Sequence, residues 1–310
     1  MLKLHILNVG HGDCIIVDFP SQYLSVVDIN RSTELDDKSV DELFEEYFGS
    51  NKTYIKAMAN VKKIPYSYLL SEKGYKIKLC DPINYIKKIA NGRIIFRFIS
   101  THSHMDHLSG LRASYDQIGI INFWVINNEY EPDLDYLSDT EKEDWALYTE
   151  FRKNSIDEVR VIRPMEGDQR DFWQQDGIHI LAPNSQLISD STDPNEISYV
   201  LLIKYGNHKI ILGGDAEEDT WDYIVSNYPK TLKNVTVLKA SHHGRDNGYH
   251  QEAVKLMSPD FTIISVGKKP ENDASQKYRR YSNKVLSTRW NGTIVFSLEE
   301  DGTGHYQTEY

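Results

Sequence analysis

Four side chains that can bind a metal ion lie within six residues of the chain. The segment Thr101 to His107 directly follows an apolar run, Ile94 to Ile99, that predicts a buried strand. A helix would spread such side chains around its surface, whereas a strand end and a short loop can direct them to one point. Three imidazoles and one carboxylate suit zinc, manganese or iron, so the segment indicates a metal site. The alternative is a polar loop with a coincidental run of His. The candidate ligands are His102, His104, Asp106 and His107.

The elements that must position this loop follow from the pattern of apolar residues. Strands and helices alternate along the chain, which predicts a mixed α/β protein. The predicted strands are Leu4–Val9, Cys14–Phe19, Leu24–Asp28, Ile94–Ile99, Asn122–Ile126, Ile178–Leu181, Tyr199–Tyr205, Lys209–Gly213, Val235–Lys239, Thr262–Val266 and Thr293–Leu298. The predicted helices are Asp36–Phe48, Pro82–Asn91, Thr140–Asn154, Glu217–Ser226, Gln251–Leu256 and Lys277–Leu286. Gly206-Asn207 predicts a tight hairpin between two of these strands.

The composition is that of a soluble globular protein, with 40% hydrophobic and 26% charged residues. The net charge of −11 argues against a protein that coats nucleic acid by bulk charge. The segment Lys268 to Arg289 is nevertheless basic, so Lys268 and Lys269 are candidate substrate-binding residues, with the solvated face of a helix as the alternative. No apolar stretch reaches membrane-spanning length, and the N-terminus lacks the layout of a signal peptide. We therefore expect a cytoplasmic protein without membrane contact.

Further motifs lie in the order found in a known superfamily. They are Leu7-Asn-Val-Gly-His-Gly-Asp13 with Val26-Val-Asp28, Ile210-Ile-Leu-Gly-Gly-Asp215, Leu238-Lys-Ala-Ser-His-His-Gly244 and Ile263-Ile-Ser-Val-Gly267. With His-x-His-x-Asp-His, they resemble the metallo-β-lactamase superfamily and, within it, the hydrolase domain of the ComEC competence proteins. The resemblance extends from about Leu2 to Gly302 and implies an αββα sandwich of two mixed β-sheets flanked by helices. It also implies one free-standing domain over residues 1–310 with insertions at about 31–91 and 129–175. These insertions could shape substrate access, form a homodimer contact or elaborate the surface.

The resemblance implies a dinuclear centre that holds two divalent ions, Zn²⁺ or Mn²⁺, with Mg²⁺ as a further candidate. His102 and His104 would bind the first ion. Asp106 and His107 would bind the second ion, and Asp215 would bridge the two. A carboxylate bridge is physically reasonable because it offsets the repulsion between two neighbouring cations.

The Ser-His-His-Gly loop contributes two further His. We expect His242 to bind the second ion and His243 to contact the substrate or to orient a ligand. Asp106 and His243 are therefore the expected catalytic residues. The candidate metal loop is the segment Thr101 to His107. Asp13 is expected to pack near this loop as a partner of a ligand or as a turn residue, and Asp28 is expected to be structural.

The sequence departs from the superfamily pattern at one ligand of the first ion. Many members supply another His between the metal loop and the Gly-Gly-Asp motif, but this chain has only His179, within a predicted strand, and His208, at a hairpin turn. The ligand is expected near Asp193 to Ser198, where the ComEC-like branch has an Asn/Ser element. Asn195 and Ser198 are therefore expected to border the site. A weaker site rich in oxygen ligands shifts the preference from zinc towards manganese or magnesium.

The resemblance favours a hydrolase that cleaves phosphodiester bonds, a nuclease acting on DNA or RNA through a dinuclear metal-activated hydroxide. One alternative is a hydrolase of a small phosphoester or lactone, because the superfamily also contains such enzymes. A second is an effector subunit that is active only with a protein partner. A third is an interaction module whose metal is structural.

Overall fold

Two mixed β-sheets form the centre of the molecule in the computed structural model, which describes residues 1–32, 34–35, 37–75 and 79–310. The strands in chain order are β1 (Leu2–Ile6), β2 (Ile15–Asp18), β3 (Leu24–Val27), β4 (Ile95–Ile99), β5 (Ile120–Trp124), β6 (Arg160–Ile162), β7 (Ile178–Ala182), β8 (Val200–Tyr205), β9 (His208–Leu212), β10 (Val237–Lys239), β11 (Phe261–Ile264), β12 (Lys284–Ser287), β13 (Ile294–Leu298) and β14 (Gly304–Thr308). The larger sheet has the order β14-β13-β1-β2-β3-β4-β5-β6, and the smaller has the order β12-β11-β10-β9-β8-β7.

Each sheet has a parallel half. Strands β3 to β6 run parallel to one another in the larger sheet, as do β9 to β12 in the smaller sheet. The carboxyl ends of parallel strands meet at one edge, where ligands usually bind in open α/β sheets. The metal loop follows β4, and the Gly-Gly-Asp and Ser-His-His-Gly motifs follow β9 and β10. The topology therefore brings segments that are distant in sequence to one place.

Helices cover the outer faces of both sheets. In chain order they are α1 (Asp37–Phe48), α2 (Lys52–Lys62), α3 (Tyr66–Glu72), α4 (Pro82–Ala90), α5 (Leu111–Gln117), α6 (Asp139–Arg152), α7 (Asp171–Gln174), α8 (Ser185–Asp190), α9 (Glu218–Asn227), α10 (Gln251–Met257), α11 (Ser275–Tyr278) and α12 (Thr288–Asn291). Short 3-10 turns occur at Gly49–Asn51, Met105–His107, Leu134–Tyr136, Ser241–Gly244 and Asp246–Gly248. Within the described part of the chain, no helix combines the length and the apolar character needed to cross a membrane.

Three apolar layers hold these elements together. Between the sheets, alternate residues of β1 pack with residues of β8, among them Leu4 and Leu201. Outside the larger sheet, α4, α5 and α6 bury residues such as Ile86, and outside the smaller sheet α9 and α10 bury residues such as Trp221. Burying one face of a sheet and one stripe of each helix is what drives this layering. The prediction of an αββα sandwich is confirmed.

Several predicted elements are confirmed with shifted ends, including α4, α6 and the Gly206-Asn207 hairpin between β8 and β9. The predicted start of the first helix, Asp36, lies outside the described residues. Residues 31–91 contain α1 to α4, and 129–175 contain α6, β6 and α7, of which β6 belongs to the larger sheet. Their origin as insertions, and the single-domain organisation, stay predictions.

The predicted helix Lys277–Leu286 is wrong. The helical segment α11 ends at Tyr278, and Lys284–Ser287 instead forms the edge strand β12, parallel to β11. Leu286 is buried in the layer between the sheets, so tertiary packing overrides the helical pattern of this segment. The basic residues between Lys268 and Arg289 therefore do not line one helix face.

Candidate metal centre

The metal loop is held by backbone contacts to two neighbouring segments. Its chain leaves β4, and the backbone oxygen of His107 accepts a hydrogen bond from Ile29 N. The backbone oxygen of Asp106 accepts one from Asp13 N at 3.2 Å. Gly12 has φ +133° and lies so close that a Cβ there would overlap the Asp106 oxygen. The Gly-His-Gly-Asp motif therefore serves as a support for the metal loop.

Five of the predicted site residues converge in one cluster. They are His102, Asp106, His107, Asp215 and His243. The His107 Nε2 atom lies 3.4 Å from Asp215 Oδ1, and His243 Nε2 lies 3.4 Å from Asp215 Oδ2 and 3.2 Å from Asp106 Oδ2. His102 Nε2 lies 3.9 Å from Asp215 Oδ2. The side chain of Asp106 is 31% exposed, whereas the other four are almost fully buried, so Asp106 marks the open side of the cluster.

Two atoms of this cluster are buried without a hydrogen-bond partner: His102 Nε2 and Asp215 Oδ1. Buried polar atoms are normally paired, because an unpaired one costs about 1–3 kcal/mol. Imidazole nitrogen and carboxylate oxygen are also the donors that divalent transition metals prefer. These unpaired atoms therefore fit ligands for a cation. Two overlapping groups could each hold an ion: Asp13, His107, Asp215 and His243; and His11, Asp106 and His243.

His104 lies at the periphery of the cluster. Its ring centroid is 4.9 Å from that of His102 and 5.1 Å from that of Tyr130. It belongs to neither of the two potential metal-binding groups found among the described residues. It is partly exposed and lies next to His102.

Asp28 fixes the orientation of His107. Its carboxylate accepts from His107 Nδ1 at 2.8 Å, from Thr101 N at 2.7 Å and from Thr101 Oγ1 at 2.6 Å. Donation through Nδ1 leaves Nε2, which is directed at Asp215, as the nitrogen that can carry a metal ion in place of a proton. Sequence reasoning treated Asp28 as structural. The signal that could have assigned this role is its position at the carboxyl end of β3, beside β4.

His242 and His243 both have left-handed backbone conformations, with φ values of 47° and 53°. Such values are uncommon outside glycine and cost on the order of 1–2 kcal/mol per residue. The His243 Nδ1 atom donates to the backbone oxygen of Ser265, so its Nε2 faces Asp106 and Asp215. His242 contacts Glu217 through Nδ1 at 2.8 Å, and its Nε2 lies 3.8 Å from Asp215 Oδ2. Both imidazoles therefore reach the Asp215 carboxylate, with His243 the nearer.

The charges of the cluster strongly perturb its protonation. Burial lowers the pKa of His102 well below its ordinary value, which keeps this imidazole neutral. Burial acts in the same direction on His107, but the carboxylates of Asp215, Asp28 and Asp106 outweigh it and raise the pKa of His107. Burial would raise the pKa of Asp215, yet the surrounding imidazoles lower it well below its ordinary value. Asp215 is thus held as an anion, which suits a cation site.

Ser198 borders the cluster, and Asn195 lies beside it, with its backbone oxygen accepting from Ser198 N at 3.0 Å; their place at the substrate stays a prediction. The Ser198 hydroxyl accepts from Asp215 N at 3.3 Å, and Ser198 is fully buried. The Oδ1 atom of Asn195 is buried without a hydrogen-bond partner. Burial, followed by nearby carboxylates, raises the pKa of Glu217 to about 7. His208, by contrast, pairs with Thr303 outside the cluster.

A buried ion pair lies beneath His243. Lys239 Nζ is 2.8 Å from Asp13 Oδ2, and both side chains are at most 1% exposed. The other oxygen of Asp13 lies 3.7 Å from His243 Nδ1. A buried charge needs such a partner, since an isolated one is strongly destabilising. Sequence reasoning missed Lys239, although a Lys at the end of an apolar strand is a detectable signal.

The two predicted substrate-binding lysines lie beside the cluster. Lys268 and Lys269 line an open groove of about 690 Å³, together with His11, Arg245, Pro270, Glu271 and Asn272. His11 connects this groove with the metal loop, because its Nε2 atom lies 3.9 Å from Asp106 Oδ2. The groove therefore opens next to the exposed side of the cluster.

No protein-family model and no curated protein matches the chain. Among solved structures it is similar to Igni18, a novel metallo hydrolase from the hyperthermophilic archaeon Ignicoccus hospitalis, with 13% identity, 98% of each chain covered and a TM-score of 0.46. It is also similar to the metallo-β-lactamase fold protein YhfI from Bacillus subtilis, with 12% identity, 98% of this chain and 99% of that chain covered and a TM-score of 0.43.

A third similar structure is CmlA, a diiron β-hydroxylase from Streptomyces venezuelae. The identity is 9% and the TM-score 0.48, with 94% of this chain and 53% of that chain covered. Identities this low, with TM-scores below 0.5, say nothing about the function of the site.

Proposed function

We propose that this protein is a metal-dependent hydrolase of phosphodiester bonds, a nuclease acting on DNA or RNA that resembles the ComEC-like branch of the metallo-β-lactamase superfamily. The observation that carries the proposal is the convergence of imidazoles and carboxylates around Asp215. Two of their atoms, His102 Nε2 and Asp215 Oδ1, are buried without a hydrogen-bond partner. The cationic groove beside it supports a substrate with a charged phosphate backbone.

The superfamily pattern suggests which side chains would hold two divalent ions, and the distances bear on the choice of the last one. We assign His102 and His104 to the first ion, and Asp215 to the bridge. Asp106 and His107 would hold the second ion. For the remaining ligand of that ion the distances favour His243, whose Nε2 atom faces both Asp106 and Asp215. His242, expected from the sequence to bind this ion, is the alternative.

Divalent ions bound there would lower the pKa of water and offset the negative charge of a phosphate. The residues of the chain have separate tasks. Asp28 and the backbone oxygen of Ser265 keep His107 and His243 in the tautomers that present Nε2. Asp106 lies on the open side of the cluster, so we expect the scissile phosphate to approach past Asp106 and His11. Asn195 would stand in for the absent His at the first ion, which favours Mn²⁺ or Mg²⁺ there over Zn²⁺.

Two other functions fit parts of the site. A hydrolase of a small phosphoester or lactone would need the same cluster, and its activity would show little salt dependence. Nucleic-acid cleavage should weaken as salt rises, because phosphate contacts release counterions. An effector subunit would be silent alone and active beside its partner.

The test is a cleavage assay on labelled single- and double-stranded DNA and RNA, with Mn²⁺, Zn²⁺ or Mg²⁺ added in turn. We expect metal-dependent cutting that EDTA abolishes and that Asp106→Ala lacks. Asp116→Ala, an exposed carboxylate on α5 that pairs with Arg112, is the matched control and should retain activity. A wild-type protein that binds metal but cuts none of these substrates would contradict the nuclease proposal. A panel of small phosphodiesters and lactones would then test the alternative of a hydrolase that acts on a small phosphoester or lactone.

A further inference from the structure

The groove beside the cluster has two walls that the backbone ties together. One wall is the chain after the Ser-His-His-Gly loop, and the other is the segment Lys268–Asp273. Asp246 N donates to Asn272 O at 2.8 Å, and Arg245 forms a β-bridge with Asp273. A Cβ at Gly267 would lie 3.1 Å from Gly10 C and His11 N, so this glycine lets the second wall approach the His11 loop. The groove is therefore a fixed feature of the fold.

Arg245 occupies the position between the groove and the cluster. Its Nη1 atom lies 3.2 Å from His242 Nε2, and its Nη2 atom lies 3.3 Å from His11 Nε2. Its Nε atom is buried without a hydrogen-bond partner. Each of these imidazoles is itself within 3.9 Å of a carboxylate of the cluster. One side chain, His11 or His242, therefore separates the guanidinium from the carboxylates of Asp106 and Asp215.

The charge of the groove differs in sign from that of the whole chain. Its lining includes Arg245, Lys268 and Lys269 against Glu271, in a protein with a net charge of −11. Lys268 is exposed, and Lys269 is half-exposed with Asp273 3.7 Å away. Arg245 has imidazoles rather than carboxylates at its two terminal nitrogens. A guanidinium group can donate two parallel hydrogen bonds to the oxygens of a phosphate, so Arg245 can still bind an anion.

We propose that Arg245, with Lys268 and Lys269, forms a subsite for a phosphate of the nucleic-acid strand that flanks the phosphate held at the metal cluster. This inference rests on the proposed function and names the part of the site that selects a polymer over a small ester. Arg245 makes the inner contact, and the two lysines hold the strand farther along the groove. Recognition is by backbone charge and is therefore independent of base sequence.

The experiment measures binding without catalysis. A fluorescein-labelled single-stranded DNA of twelve nucleotides is titrated with the protein in EDTA, by fluorescence anisotropy, over a series of KCl concentrations. We expect Arg245→Ala to weaken binding equally for different base sequences and to reduce the slope of log K against log salt by about 0.7 for one lost phosphate contact. Lys268→Ala should have a similar or smaller effect, whereas Arg245→Lys should retain most of the slope because it keeps the charge.

Arg280→Ala is the matched control, since Arg280 is an exposed cation of the same basic segment that does not line the groove. Circular dichroism and the thermal midpoint of each variant show that the fold is kept. Equal slopes for Arg245→Ala, Arg280→Ala and the wild type would overturn the subsite, as would a wild type that does not bind this DNA. Binding that depends on Arg245, in a protein that cuts no nucleic acid, would retain the subsite and reject the nuclease.

Discussion

The substitution Asp28→Asn tests whether the cluster is a metal site whose ligands are held in one tautomer. Asp28 Oδ1 accepts from Thr101 N, and Oδ2 accepts from His107 Nδ1 at 2.8 Å. An asparagine must keep its oxygen towards Thr101 N, which directs its NH₂ group at His107 Nδ1. The imidazole then has to accept at Nδ1 and carry its proton on Nε2. This tautomer cannot bind a metal through Nε2.

The expected loss follows from this one hydrogen bond. Removing a hydrogen-bond partner behind a metal-binding His costs about 10- to 100-fold in metal affinity, which corresponds to about 1.4–2.7 kcal/mol. The affinity is measured by competition between the protein and a chromophoric chelator for Mn²⁺ or Zn²⁺. His107→Ala gives the loss expected when the ligand itself is removed, and Asp28→Asn should approach it.

A matched control separates the tautomer from a general effect of neutralising a buried carboxylate. Asp144 is also buried and accepts from two backbone nitrogens, of Gly110 and Arg112, but it contacts no residue of the cluster. Asp144→Asn should leave metal affinity unchanged. Thermal unfolding in EDTA shows that each variant folds. Metal affinity of Asp28→Asn equal to that of the wild type, in a folded protein, would refute the role of Asp28 and the assignment of His107 as a ligand.

Two further predictions concern the residues around Asp215. His243→Ala should reduce the metal content from two ions per chain to one, as measured by atomic emission after dialysis, because the Nε2 atom of His243 lies nearer to Asp106 and Asp215 than that of His242 does. His242→Ala should retain two ions. The opposite result would assign the second ion to His242. Lys239→Met leaves Asp13 buried without its cation and should lower the free energy of unfolding in EDTA by about 3–5 kcal/mol, measured by urea denaturation. Lys209→Met, at an ammonium whose contacts among the described residues are the backbone oxygens of Thr231 and Lys233, should cost much less.

The strands and helices were predictable because their signals are local or repeat along the chain, whereas the layered arrangement was an expectation from the resemblance. Strand runs such as Lys209–Gly213 and helix patterns such as Thr140–Asn154 carry their period in the sequence. The segment Lys277–Leu286 misled for a physical reason. Its spacing also fits a helix, but the parallel edge of β11 and the space between the sheets offer Leu286 a better burial. Such a choice depends on a partner strand that local sequence does not reveal.

The site was predictable where its residues are adjacent in sequence, as in the metal loop, and less so where strands bring distant residues together. Asp28 contacts His107 of the cluster across 79 positions of the chain. Arg245 contacts His11, beside the cluster, across 234 positions. The choice between His242 and His243 is harder still. The side chains of neighbouring residues in an extended segment point to opposite sides. His242 and His243 instead have left-handed conformations in succession, and both imidazoles lie near Asp215.

A net charge of −11 is compatible with a substrate as acidic as nucleic acid. At physiological ionic strength the field of an exposed charge is screened over about 8 Å, so the substrate responds mainly to the charges that it touches. In the groove those are Arg245, Lys268 and Lys269, and at the cluster they would be the divalent ions. The excess of 46 acidic over 35 basic residues in the chain would repel the strand elsewhere. Such a protein should bind a few phosphates at one place and should not coat a polymer, which is the behaviour required for cleavage and not for packaging.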